Sequence, residues 1–152
     1  MAAALGRVPS GLFILTAGSD GDAGGMLTSW VQQCSFDPPQ VTVAVERTRT
    51  VNDLLGTGAH FVLNLLGEGQ ADLLKAFSKG FEASRSALSE LDAGRRAGAV
   101  PVLRDALGHL TCVVVGRFPA GDHDVIVARI ESGGLHRDGS PAVHVRKNGL
   151  KY

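Results

Sequence analysis

Cysteine, aromatic residues and net charge are all scarce in this chain. The two cysteines, Cys34 and Cys112, are too few for a disulfide framework, and neither belongs to a CxxC pair. They could pair with each other, but scattered cysteines of this kind read as buried thiols in a reducing, cytoplasmic setting. Fifteen basic side chains balance fifteen acidic ones. No general electrostatic attraction for nucleic acid or an anionic membrane is therefore expected, and any anion must be held by a local cluster. No apolar run reaches the roughly 18 residues of a membrane helix. The opening Met1-Ala-Ala-Ala-Leu-Gly-Arg7 lacks the basic-then-apolar order of a secretory leader. The histidines His60, His109, His123, His136 and His144 show no HxxxH spacing, so no metal site is expected. No GxSxG precedes a helix and no GxGxxG opens a βαβ unit, which argues against a hydrolase elbow and a Rossmann fold.

What is present fits one globular domain over residues 1–152, with 44% hydrophobic and 20% charged residues, enough for a core without staples. Residues 11–17 form a short apolar run bounded by turn residues and read as a buried strand. The glycine-rich stretch 18–25 reads as a hairpin; a phosphate-cradling loop is the alternative, but no Gly-Lys-Ser/Thr ends it. Residues 26–36 read as one strand, followed by the Asp37-Pro38-Pro39 turn. In residues 40–46, Val41, Val43 and Val45 alternate cleanly, predicting a half-buried strand. Thr50 and Asp53 have capping-box spacing for a short helix. Further strands are predicted at 60–66, 107–118, 122–131 and 142–145, and a helix at 70–77, while 81–100 suggests loop and broken helix. The sum is mainly β with minor α: an antiparallel barrel of about six or seven strands with two short flanking helices.

Three constellations could carry chemistry. The segment Arg47-Thr48-Arg49-Thr50 follows a strand and opens a helix, where N–H groups and guanidinium groups favour an anion; an ordinary cap with solvated arginines fits equally. In residues 26–36 the polar Thr28, Ser29, Gln32, Gln33 and Ser35 are mixed with Met26, Leu27, Trp30, Val31 and Phe36, so neither face is a plain core face. Either an exposed edge strand or the wall of a heteroaromatic ligand site would show this density of amides and hydroxyls, and Trp30 favours a site or an interface. Gly121-Asp122-His123 places a histidine at a strand entry, as a structural residue or a donor to ligand.

Taken together, Met26-Leu-Thr-Ser-Trp-Val-Gln-Gln-Cys-Ser-Phe-Asp-Pro-Pro39, Val41-Thr-Val-Ala-Val45, His60-Phe-Val-Leu-Asn-Leu-Leu66, Gly121-Asp-His123 and Pro141-Ala-Val-His144 resemble the flavin reductase-like family of FMN-binding split barrels, nearly end to end. The Thr-Ser-Trp form is similar to the reductase module of diflavin flavoproteins. The resemblance implies a Greek-key split barrel and an isoalloxazine site lined by Leu27, Thr28, Ser29, Trp30, Ser35 and Phe36. It implies an FMN phosphate held by Arg47, Arg49 and Thr50, with Ser78, Lys79 or Phe81 completing the phosphate or ribityl site, and places His123 on the nicotinamide side. It further implies NADH or NADPH as co-substrate, FMN with FAD or riboflavin as alternative flavins, a homodimer, and an oxygenase or electron-transfer partner. Residues 82–98 match nothing in the family pattern. Three other readings stay open: an FMN-binding electron carrier or flavin sensor, a pyridoxamine phosphate oxidase-like enzyme for which Arg146-Lys147 is the one trace of a second phosphate set, and a barrel with no ligand.

Overall fold

A computed structural model describes residues 1–90 and 99–150. The chain begins with helix α1 (Ala2–Gly6), then strands β1 (Ser10–Gly11), β2 (Phe13–Ala17), β3 (Gly24–Thr28), β4 (Val31–Phe36) and β5 (Pro39–Glu46). A 3-10 turn (Thr50–Leu54) leads to β6 (His60–Leu65), followed by helices α2 (Ala71–Phe77) and α3 (Ser84–Glu90). Strands β7 (Gly108–Ala120), β8 (His123–Leu135) and β9 (Val143–His144) complete the described elements.

Seven strands form one antiparallel sheet in the order β3-β2-β6-β7-β8-β5-β4, while β1 and β9 pair separately. The two edge strands, β3 and β4, are joined only by Ser29 and Trp30. Strands at opposite ends of a seven-strand order can be linked that briefly only if the sheet curls until its edges approach. The result is a barrel split between β3 and β4, with no ladder closing it among the described residues. Placing β5 beside β8 instead of β6 gives the Greek-key order.

Two cores straddle β2. Leu15 and Ala17 face the barrel interior with Val41, Val43, Val45, Phe61, Leu63, Cys112 and Ile126. Ile14 faces outward into a second cluster with Leu66, Leu73, Phe77, Leu88 and Leu103, beneath the helices. Burial on both faces explains why residues 13–17 read as a continuous apolar run without alternation. Helix-to-strand approach depends on glycine: a Cβ on Gly25 would lie 2.6 Å from the Phe77 ring, and one on Gly24 would lie 2.5 Å from Phe81. The Gly25 N–H donates to Ser84 Oγ at 2.7 Å.

Buried Asn64 joins the layers: its Nδ2 donates to the Ile14 carbonyl at 3.0 Å and to Thr16 Oγ1 at 3.2 Å, and its Oδ1 accepts from Leu103 N–H at 2.8 Å. Thr16 Oγ1 in turn donates to the Pro101 carbonyl at 2.6 Å. These bonds dock the segment returning from the helices onto β2.

Several expectations are revised. The predicted strand 26–36 is two strands broken at Ser29-Trp30. The segment opening at Thr50 is a 3-10 turn whose N-cap is Arg49, with no side-chain cap bond, so the capping-box spacing is not used. Among the described residues three α-helices occur where two were expected: α1 was not foreseen, and α3 orders part of the stretch read as broken. Residues 91–98, part of the unmatched segment, lie outside the described residues. Cys112 is buried, with its thiol pushed up to about 12 by burial and then by Glu131, but Cys34 is exposed and both are free thiols.

Candidate functional site

The break between β3 and β4 opens onto a cleft of about 710 Å³. Its floor is apolar, with Met26 and Leu27 from β3, Val45 from β5, and Leu74 and Phe77 from α2. Polar groups surround it: Thr28 and Ser29 at the break, Glu46 and Arg49 after β5, Ser78 after α2, and His123 at the start of β8. A further wall comes from residues 144–148, a strap crossing from β9. Concave, mainly apolar sites with a few convergent polar groups suit a planar cofactor.

Six predicted positions therefore meet in one cleft: Leu27, Thr28, Ser29, Arg49, Ser78 and His123. Ser29 is buried, and its Oγ has no hydrogen-bond partner among the described residues. An unpartnered buried hydroxyl is costly and is met by a ligand heteroatom or water. Trp30 lies behind the cleft wall, its ring centroid 4.8 Å from that of His123 and 5.0 Å from the Arg146 guanidinium carbon.

The other predicted positions do not line the cleft. Ser35 and Phe36 sit at the far end of β4, with Phe36 90% exposed. Phe81 is buried in the barrel core against Gly24. Thr50 and Lys79 are exposed. Arg47 is turned to Asp124, donating from Nε to Oδ1 at 3.1 Å. Buried Asp124 also accepts from Arg117 Nη2 at 2.6 Å and from Asn52 Nδ2 at 3.1 Å. These bonds, Arg117 first, hold its carboxyl at about 2, below the ordinary 3.8. The network joins the turn after β5 to the neighbouring ends of β7 and β8, fixing the cleft rim that carries Arg49 and His123.

His123 follows a two-residue turn in which Gly121, at φ +65°, fills the position that glycine takes in a type II′ hairpin. Its Nδ1 meets Asp122 Oδ1 at 2.6 Å. That contact lowers the Asp122 carboxyl pKa, the hydrogen bond leading the imidazole charge as cause.

The strap was not part of the predicted site. Arg146-Lys147 stood out only as the trace of a second phosphate set under the pyridoxamine phosphate oxidase-like reading, and the pairing of Ser10 with His144 that brings it to the cleft has no local sequence signal.

The flavin reductase-like domain model matches residues 5–149. The chain belongs to the flavin reductase-like family. Among relatives of this family member, a diflavin flavoprotein (A 6) of Nostoc sp. is 41% identical over 98% of the chain, and diflavin flavoprotein A 1 of Synechocystis sp. is 38% identical over 98%. The chain spans about a quarter of the length of these relatives, 26% in each case. Of solved structures, the styrene monooxygenase flavin reductase of Pseudomonas putida S12 is 28% identical with a TM-score of 0.74, over 94% of this chain and 90% of that one. The NADH:FAD oxidoreductase SgcE6 of Streptomyces globisporus C-1027, in complex with NAD and FAD fragments, shares the fold at 20% identity, with a TM-score of 0.79 over 94% and 85% of the two chains.

Proposed function

We propose that the cleft binds FMN and that the domain is an NAD(P)H:flavin oxidoreductase. The observation that carries this reading is the convergence of Leu27, Thr28, Ser29, Arg49, Ser78 and His123, from four separate segments, on one apolar-floored cleft. The residues fit a flavin: an apolar bed for a flat ring, hydroxyls at Thr28 and Ser29 for its ring heteroatoms, and a guanidinium at Arg49 for its phosphate side. The buried Ser29 hydroxyl, without a partner among the described residues, is a group that such a ring would meet.

A bound flavin supplies the hydride-accepting ring nitrogen, chemistry that belongs to the cofactor. The chain's contribution is orientation. His123 is held by Asp122 through Nδ1 and lies against Trp30, so Nε2 is the nitrogen left to meet a nicotinamide-side group. The Asp124 network fixes the rim on which His123 stands. Positioning of this kind is what near-attack geometry requires, and hydride transfer asks for no protein acid or base.

The outer face of the sheet supports a homodimer. Phe118, Val125, Ala44 and Trp30 lie side by side across β7, β8, β5 and the β3–β4 break. A groove of about 560 Å³ runs along this face, bordered by exposed Val8 and Val143. An apolar patch of this kind marks an interface.

The test is oxidation of NADH and of NADPH by the purified domain with added FMN. Turnover with either donor supports the reductase. Flavin binding with no oxidation of either donor moves the assignment to an electron carrier or flavin sensor.

A further inference from the structure

We infer that Glu46 is a specificity-determining residue of the cleft: its carboxylate, paired with Arg49, limits how strongly the cleft favours a phosphorylated flavin over an unphosphorylated one. The inference rests on the flavin-binding reading of the cleft and names how the phosphate end of that ligand is weighed.

Glu46 is the one carboxylate among the described residues that line the cleft. It is the last residue of β5 and stands directly opposite His123 on β8. Directly opposed residues of an antiparallel pair project to the same face. The register that brings His123 to the cleft therefore brings Glu46 with it. The turn after β5 is tied down: the Arg47 N–H donates to the Asp122 carbonyl at 3.0 Å, and the Arg49 N–H donates to the Glu46 carbonyl at 3.1 Å. This turn folds Arg49 back on Glu46, and Arg49 Nε donates to Glu46 Oε2 at 2.9 Å.

That bond divides the guanidinium. Nε is taken by the carboxylate, whereas the two Nη groups of Arg49 have no hydrogen-bond partner among the described residues. Arg49 can still meet a phosphate through this Nη edge, which presents two parallel donors. A phosphate held there lies only the width of the guanidinium from the Glu46 carboxylate. Arg47 does not shift the balance, because its Nε is turned to Asp124. A phosphate at Arg49 thus meets one positive charge and, just behind it, one negative charge. The side chains of Arg49 and Glu46 are 50% and 39% exposed, so water and salt screen both. The opposing charge then weakens phosphate binding by about tenfold rather than by several powers of ten. A flavin without phosphate carries no charge there for Glu46 to oppose.

The experiment titrates riboflavin and FMN, by flavin fluorescence, against wild type and Glu46→Gln. The amide keeps the size of the side chain and an oxygen to accept from Arg49, and removes the charge. Arg146 and Lys147 also line the cleft and are present in both proteins, so the comparison isolates one carboxylate. Glu46→Gln is expected to bind FMN about tenfold more tightly, with riboflavin affinity changed by less than about twofold. The gain is expected to shrink as salt is raised from about 0.05 M to about 0.5 M, because the Debye length falls.

FMN affinity that is unchanged or weaker in Glu46→Gln overturns the inference, since Glu46 then only orients Arg49. Equal change for both flavins, or a gain that salt leaves untouched, overturns it as well, because neither is the effect of a charge on a phosphate. Each of these outcomes leaves flavin binding itself intact. Binding of neither flavin by either protein defeats the flavin reading, and the inference with it. Should Glu46→Gln not fold, Glu46→Ala is read in the same way.

Discussion

The Trp30 indole and the His123 imidazole meet with centroids 4.8 Å apart and planes tilted by 41°. This contact joins the break between the sheet's two edges to the rim of the cleft. It makes His123 a positioned group and Trp30 an internal reporter. His123→Ala is expected to lower NAD(P)H oxidation by about tenfold to a hundredfold, the cost of ångström-scale misplacement. FMN affinity, read by quenching of Trp30 emission, is expected to change far less. Equal loss of turnover and affinity would assign His123 to structure alone.

Asp124 predicts an acid dependence of stability. Its carboxyl is held at about 2 in the fold, against an ordinary 3.8, chiefly by Arg117 and Asn52. A depressed carboxyl contributes stability that is fully present above the ordinary value and is lost as pH falls through the folded one. Urea midpoints of wild type are therefore expected to drop between about pH 4 and pH 2. Asp124→Asn is expected to be less stable at neutral pH and to show a shallower drop. Parallel curves would remove Asp124 from the account.

His109 and His136 predict a second dependence at milder pH. Their rings stack with Nδ1 of His109 3.2 Å from Nε2 of His136. Burial, and then the His136 charge, lower the His109 pKa from its ordinary 6.5. Folding therefore favours neutral His109: its penalty is absent above that value and grows as pH falls below it. Wild type is expected to lose stability as pH falls below the ordinary 6.5, and His109→Gln to flatten that limb. An unchanged slope in the variant would contradict the assignment.

Asn64 carries the junction between the helical layer and the barrel. Asn64→Ala takes the acceptor from the Leu103 N–H in the interior and a donor from the Thr16 hydroxyl, which keeps its own bond to the Pro101 carbonyl. The expected cost is about 2–3 kcal/mol, from the loss of paired buried groups. Urea denaturation measures it, and a loss below about 0.5 kcal/mol, the scale of an ordinary surface change, would show that the junction is held by packing alone.

The class of the fold was legible because most strands carry local signals. The alternation of Val41, Val43 and Val45 and the apolar run 60–65 mark β5 and β6 directly. The mixed polarity of residues 26–36 was legible as an anomaly, but its cause was not. The chain changes sheet edge at Ser29-Trp30, so no single face could keep one character, and that change is set by how seven strands order themselves. The cleft was half legible for the same reason. Arg49 and His123 stand next to strand ends that sequence marks, whereas Thr28 and Ser29 stood out by polarity inside what read as one strand. The strap reaches the cleft only through the β1–β9 pairing, a contact between the two ends of the chain. Arg47 was indistinguishable from Arg49 in sequence; its diversion depends on Asp124, which only the β5–β8 pairing brings near.

The measurement that bears most directly on the central claim is an anaerobic absorbance spectrum of the domain with FMN, before and after addition of NADH and then NADPH. The account predicts a perturbed flavin band on binding, followed by bleaching with at least one donor. A flavin spectrum identical to that of free FMN, with no bleaching by either nucleotide, would contradict it.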